Sequence, residues 1–273
     1  MHSGRWIIGP YLIGATMFMV IGLAIYGLQA TGKSAAAIAM SKDMDMRDMA
    51  KFWAFPFLQS SGLVALLLSY IAVLLGLSRQ MLKGGVSASI AMNYLHRHVA
   101  LCVVALLAIH MLTTALDAMG DSWRTVLIPG TWADKGWPEA VWGYNLGIGA
   151  SYLLILIGPS YYMRRFFSRN NWIYLHRLIA LVYLFSVWHA MILGLDLAYY
   201  KWLRPVIWLA QIPALALVMI RIYGTAFEKA PTTHQRFGLN RVLSMALFVL
   251  SAAGILSLLI IVATGNSDFI TTV

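Results

Sequence analysis

The sequence predicts an all-α integral membrane protein, a bundle of about seven transmembrane helices in one transmembrane domain covering residues 1–273. Three observations predict it. Hydrophobic residues make up 60% of the chain and charged residues 11%, where a soluble domain carries about 25% charge. Apolar stretches of roughly 20 residues, the length that crosses a hydrocarbon core, recur seven times. Four of the seven histidines sit in two matched pairs inside two of these stretches.

The expected spans run Trp6–Leu28, Phe57–Leu77, Tyr94–Leu116, Val141–Met163, Trp172–Leu195, Leu203–Tyr223 and Leu239–Ala263. The first resembles a signal peptide in having Arg5 before it and small residues at Ser34–Ala37. Its apolar run is longer than a signal h-region, so it is read as an uncleaved span. The third and fifth spans run in the same direction, because the fourth returns the chain between them. The single cysteine, Cys102, lies in an apolar run and excludes an internal disulfide.

Charge sets the expected orientation. Twelve Lys and Arg fall on the side of the N-terminus and eight on the other, while nine of ten acids (all but Glu228) fall on that other side. Lys and Arg favour cytoplasmic loops, so the N-terminus is expected in the cytoplasm and the C-terminus outside, in a membrane such as the bacterial cytoplasmic membrane. The basic face suits anionic lipid and does not suggest nucleic acid.

His96 and His110 lie 14 residues apart on the third span; His176 and His189 lie 13 apart on the fifth. These gaps correspond to about 21 Å and about 19.5 Å of helix. Parallel spans put His96 opposite His176 near one membrane face and His110 opposite His189 towards the other. Two neutral imidazoles across a gap are the usual axial ligands of a low-spin haem. Four ionisable residues inside spans in this register are costly unless functional, and two stacked haems would carry electrons across the membrane. A gap of 14 leaves two residues about 40° apart on a helix face, whereas a gap of 13 leaves them about 140° apart. On the fifth span, either the helix is locally rewound or the two haems lie on different flanks. His98 lies about 200° round the helix from His96 and is expected to be a bundle or propionate contact. Arg97 and Arg177 directly follow the first histidine of each pair. A guanidinium forks onto a carboxylate, so both are candidates for haem propionates, or are ordinary positive-inside charges.

The order Gly158-Pro159-Ser160, Arg164-Arg165, Trp172-Ile173-Tyr174-Leu175-His176-Arg177, together with the paired histidines, resembles the ferric reductase-like transmembrane domain superfamily. That superfamily includes NADPH oxidases, ferric reductases and the haem subunit of methionine sulfoxide reductase systems. The resemblance covers about residues 57–223, which would form a six-helix bis-haem core, with 239–263 an additional helix that could dock another subunit. It implies two haem b groups, one held by His96 and His176 and the other by His110 and His189. The implied function is electron transfer across the membrane. The flavin and nicotinamide module of the oxidases has no counterpart in residues 224–273, which leaves a separate flavoprotein or a quinol as electron donor. The acceptor would be an external redox protein or a metal, with the chain acting as the electron-transfer subunit of an oxidoreductase complex. Two alternatives remain open: direct reduction of ferric or cupric ions or of oxygen at the outer face, and a non-redox transporter whose histidines relay protons.

Other motifs carry less. Gly27-Leu28-Gln29-Ala30-Thr31-Gly32-Lys33-Ser34 has the phosphate-loop pattern but follows a membrane span, where the mechanism needs a strand. Met40, Met44, Met46 and Met49 could offer thioethers to Cu(I), though the charges among them suit an interfacial amphipathic helix better. Trp123, Trp132 and Trp137 in the long loop Asp117–Glu139 suit interfacial anchors, a cap on one haem or a landing surface.

Overall fold

The computed structural model describes residues 5–33, 52–78, 86–117, 122–131, 141–194 and 202–227. These form α1 (Arg5–Ala30), α2 (Phe55–Ser78), α3 (Val86–Leu116), a short α4 (Trp123–Leu127), α5 (Val141–Ile157), α6 (Arg169–Arg177), α7 (Ile179–Leu193) and α8 (Leu203–Phe227). There is no strand among the described residues. Among the described residues, five stretches are long and apolar enough to cross a membrane: Ile8–Ala30, Phe55–Ser78, Ile90–Leu116, Val141–Tyr161 and Asn171–Leu193. The apolar part of α8, Leu203–Val218, is shorter than these. The expected seventh span and the methionine segment lie outside the described residues.

The helix ends follow from local chemistry. α1 closes on a Schellman motif in which Lys33 N–H donates to Leu28 O and Gly32 N–H to Gln29 O, with Gly32 at φ 70°, a conformation glycine adopts without strain. The second glycine of the phosphate-loop pattern is therefore a helix cap. α5 ends where Gly158-Pro159 tightens the chain into a 3-10 turn, Gly158–Tyr161. Ser168 caps α6 by accepting from Asn171 N–H.

The helix is locally overwound between His176 and His189. Leu178 interrupts the helix, and the bonds around it are of i→i+3 type, Leu178 N–H to Leu175 O and Leu181 N–H to Leu178 O. A 3-10 turn advances about 120° per residue instead of 100°. Overwinding therefore rotates His189 back towards the face of His176.

α1, α2 and α3 share one apolar core, with Val64, Leu68 and Ala72 of α2 against Val99, Cys102 and Leu106 of α3, and Phe18 and Ile21 of α1 packed on it. Ser60 Oγ ties α2 to α1 by donating to Phe18 O at 3.1 Å. α5 packs chiefly on α7, and α8 on α2. α3 and α7 are not main packing neighbours; α2 lies against both. The two histidine-bearing helices thus stand across a gap, flanked by α2 and α5.

Candidate paired-histidine site

Both expected pairs form. The rings of His96 and His176 have centroids 6.1 Å apart at 83°, and those of His110 and His189 are 6.1 Å apart at 89°. Each pair joins α3 to the α6–α7 unit across the gap.

Hydrogen bonds set the tautomers. His96 Nδ1–H donates to Ala72 O at 2.9 Å, His110 Nδ1–H to Leu58 O at 3.0 Å, and His189 Nδ1–H to Gly143 O at 2.9 Å. A carbonyl can only accept, so the proton sits on Nδ1 and the Nε2 lone pair is left for another partner. Ser61 Oγ also lies 3.4 Å from His110 Nδ1. Trp172, one turn before His176 on α6, stacks on that ring at 5.1 Å and 13°.

Three glycines make these bonds possible. A Cβ on Gly62 would stand 3.1 Å from His110 Cε1, one on Gly76 3.3 Å from His96 Cε1, and one on Gly147 2.5 Å from His189 Nδ1. Each glycine lies four residues after the accepting carbonyl: Leu58 and Gly62, Ala72 and Gly76, Gly143 and Gly147. In a helix the Cα–Cβ bond leans towards the N-terminus, over the preceding turn. Without a Cβ at that position, the carbonyl's second lone pair is open to an imidazole from the neighbouring helix. Sequence reasoning missed these glycines. The spacing of Gly62 and Gly76 equals that of His96 and His110 and was the available signal.

The remaining candidates separate. His98 is buried and turns away from the gap to α1, sharing a 2.8 Å hydrogen bond with Tyr11 Oη and packing under Tyr94 at 4.2 Å between centroids. Arg97 is exposed, its guanidinium 5.3 Å from the Tyr161 ring and 5.7 Å from Tyr162, a cation–π arrangement. Arg177 is exposed at the end of α6. Beside His176, Ser160 Oγ and Trp172 Nε1 are buried without a hydrogen-bond partner, as is Tyr94 Oη on the His98 face of α3. Trp123 is exposed at 52%, as an interfacial anchor would be; Trp132 and Trp137 lie outside the described residues. α4 is held to α5 by a hydrogen bond from Tyr152 Oη to Leu127 O.

Among the described residues, metal-ligating side chains do not gather in groups of three or more; they gather in twos. The fold and site define an integral membrane protein with two histidine pairs stacked along one helix bundle. Residues 61–187 match the family model of the ferric reductase like transmembrane component. The match contains His96, His110, His176 and the three glycines; His189 falls two residues beyond it. No curated protein and no solved structure matches the chain.

Proposed function

We propose that the chain is a di-haem b-type cytochrome that passes single electrons across the membrane, with His96 and His176 on one haem iron and His110 and His189 on the other. The 6.1 Å separation within each pair carries this reading. A metal with an imidazole nitrogen about 2 Å away on each side places the ring centroids roughly 6 Å apart. The Nδ1–H bonds to Ala72, Leu58 and Gly143 support it further, since a ligating histidine commonly donates its other nitrogen to a carbonyl. Haem, when bound, supplies the one-electron chemistry. The protein's part is to fix four imidazoles, exclude water with the apolar walls of α2 and α5, and place the two centres one above the other.

The unpaired donors Ser160 Oγ and Trp172 Nε1 suit the carboxylates of the haem at His96–His176. Arg97 and Arg177 stand at the same end of the bundle and would contribute charge there. The N-terminus is assigned to the cytoplasm, the additional span 239–263 to docking of another subunit, and the donor to a separate flavoprotein or a quinol. With both irons held by two histidines, an external redox partner accepts electrons at the edge of the His110–His189 haem.

A reduced-minus-oxidised spectrum with haem stoichiometry tests this. Two b haems per chain are expected, with His110→Ala and His176→Ala each losing one. A protein without a Soret band would overturn the proposal and return the histidines to packing or proton relay.

A further inference from the structure

α8 lies outside the stretch that matches the family, yet one of its faces is built into the site. Arg204, Trp208 and Gln211 follow at i, i+4 and i+7, a single helix face. Two of them are placed by contacts with α7. Gln211 Oε1 accepts from Tyr183 Oη at 2.7 Å, and the Trp208 ring meets Trp188 at 6.4 Å and 76°. Trp188 directly precedes His189. The face therefore looks onto α7, and Arg204 stands one turn beyond Trp208, past the level of His189.

Arg204 Nε and Trp208 Nε1 are both buried without a hydrogen-bond partner. Buried donors are nearly always satisfied, and an unsatisfied one calls for an explanation. The guanidinium cannot shed its charge, and the indole N–H can only donate. Two adjacent donors, one of them cationic, ask for an anionic oxygen acceptor.

We infer that Arg204 and Trp208 form a carboxylate-binding site at the His110–His189 end of the bundle, clamping α8 onto the group bound there. The inference rests on the di-haem reading, under which the nearest carboxylate is a propionate of the haem between His110 and His189. An exogenous carboxylate or other oxyanion drawn to the same end of the bundle has the same chemistry. Arg204 and Trp208 are positioning residues: they touch the carboxylate and leave the iron to the histidines.

The test is a redox titration of the purified holoprotein, wild type beside Arg204→Gln, Arg204→Lys and Trp208→Phe, each with and without added acetate. Removing a positive charge beside a propionate stabilises the ferric state. Arg204→Gln is then expected to lower the midpoint potential of one haem only and to speed loss of that haem by about tenfold, while Arg204→Lys restores most of the potential. Trp208→Phe keeps the ring and removes only the donor, so a smaller shift of the same haem is expected even if Arg204→Gln folds poorly. Potentials independent of acetate assign the site to the propionate; a wild-type potential that moves with acetate, lost in Arg204→Gln, assigns it to an exogenous anion. Two haems with unchanged potentials and retention in both Arg204→Gln and Trp208→Phe overturn the inference. Absence of haem from the wild type overturns the di-haem reading instead.

Discussion

The α2–α3 half of the site is regular, whereas the α5–α7 half is interrupted. On α2 and α3 a single device is used twice: Leu58, Gly62 and His110 at one level become Ala72, Gly76 and His96 at the other, each moved by 14 residues along antiparallel helices. Both helices are unbroken, so a register that works at one level works at the other. On α5 the device occurs at Gly143, Gly147 and His189. The chain then tightens at Gly158–Tyr161 and breaks at Leu178, and His176 is steadied by Trp172. A gap of 14 needs no correction, whereas a gap of 13 needs a rewound turn. Both halves depend on close approaches at glycine, tightest at Gly147, and the irregular half adds one aromatic stack.

That contrast can be broken most sharply at Gly147. A Cβ there would stand 2.5 Å from His189 Nδ1, so the ring must leave its bond to Gly143. Under the di-haem proposal, Gly147→Ala is expected to lose the haem at His110–His189, with affinity falling 10–100-fold, about what a lost outer-shell partner costs. Haem stoichiometry dropping from two to one checks it. Gly62→Ala acts on the same centre with more clearance, 3.1 Å to His110 Cε1. It is expected to weaken that haem by about tenfold, measured as faster haem transfer to a soluble acceptor.

Trp172→Leu is expected to loosen only the haem at His96–His176, with Trp172→Phe restoring it in the reduced-minus-oxidised spectrum. If both centres respond alike, the two halves are not held differently. Gly76→Ala, with 3.3 Å to His96 Cε1, is expected to have the mildest effect of the three glycine variants. Should it strip haem as readily as Gly147→Ala, clearance is not what ranks them. Tyr11→Phe removes the bond to His98 on the far side of α3. It is expected to cost about 1 kcal/mol of stability and leave both haem spectra unchanged.

Much of the site was legible because membrane crossing is a harsh filter on sequence. The first five spans stand out by length and apolarity, and an imidazole inside hydrocarbon is conspicuous. The facing of His96 with His176, and of His110 with His189, followed from counting crossings. The glycines were harder to read, since glycine is common in transmembrane helices and serves close packing there generally. The destination of Arg97, over two tyrosine rings, depended on where the 3-10 turn after α5 placed Tyr161 and Tyr162. The same holds for His98: helix geometry said that it leaves the face of His96, but not that α1 would meet it with Tyr11.

The sequence by itself determined that this is a helical membrane protein, where five of its long apolar helices lie, and which imidazoles share a level, because these depend on composition and on the fixed rise of a helix. Only the tertiary structure decided where the helix is overwound between His176 and His189, which backbone carbonyls set the tautomers, and which glycines open those carbonyls. Those outcomes depend on how neighbouring helices dock, at separations of a few ångströms that no period along one chain records.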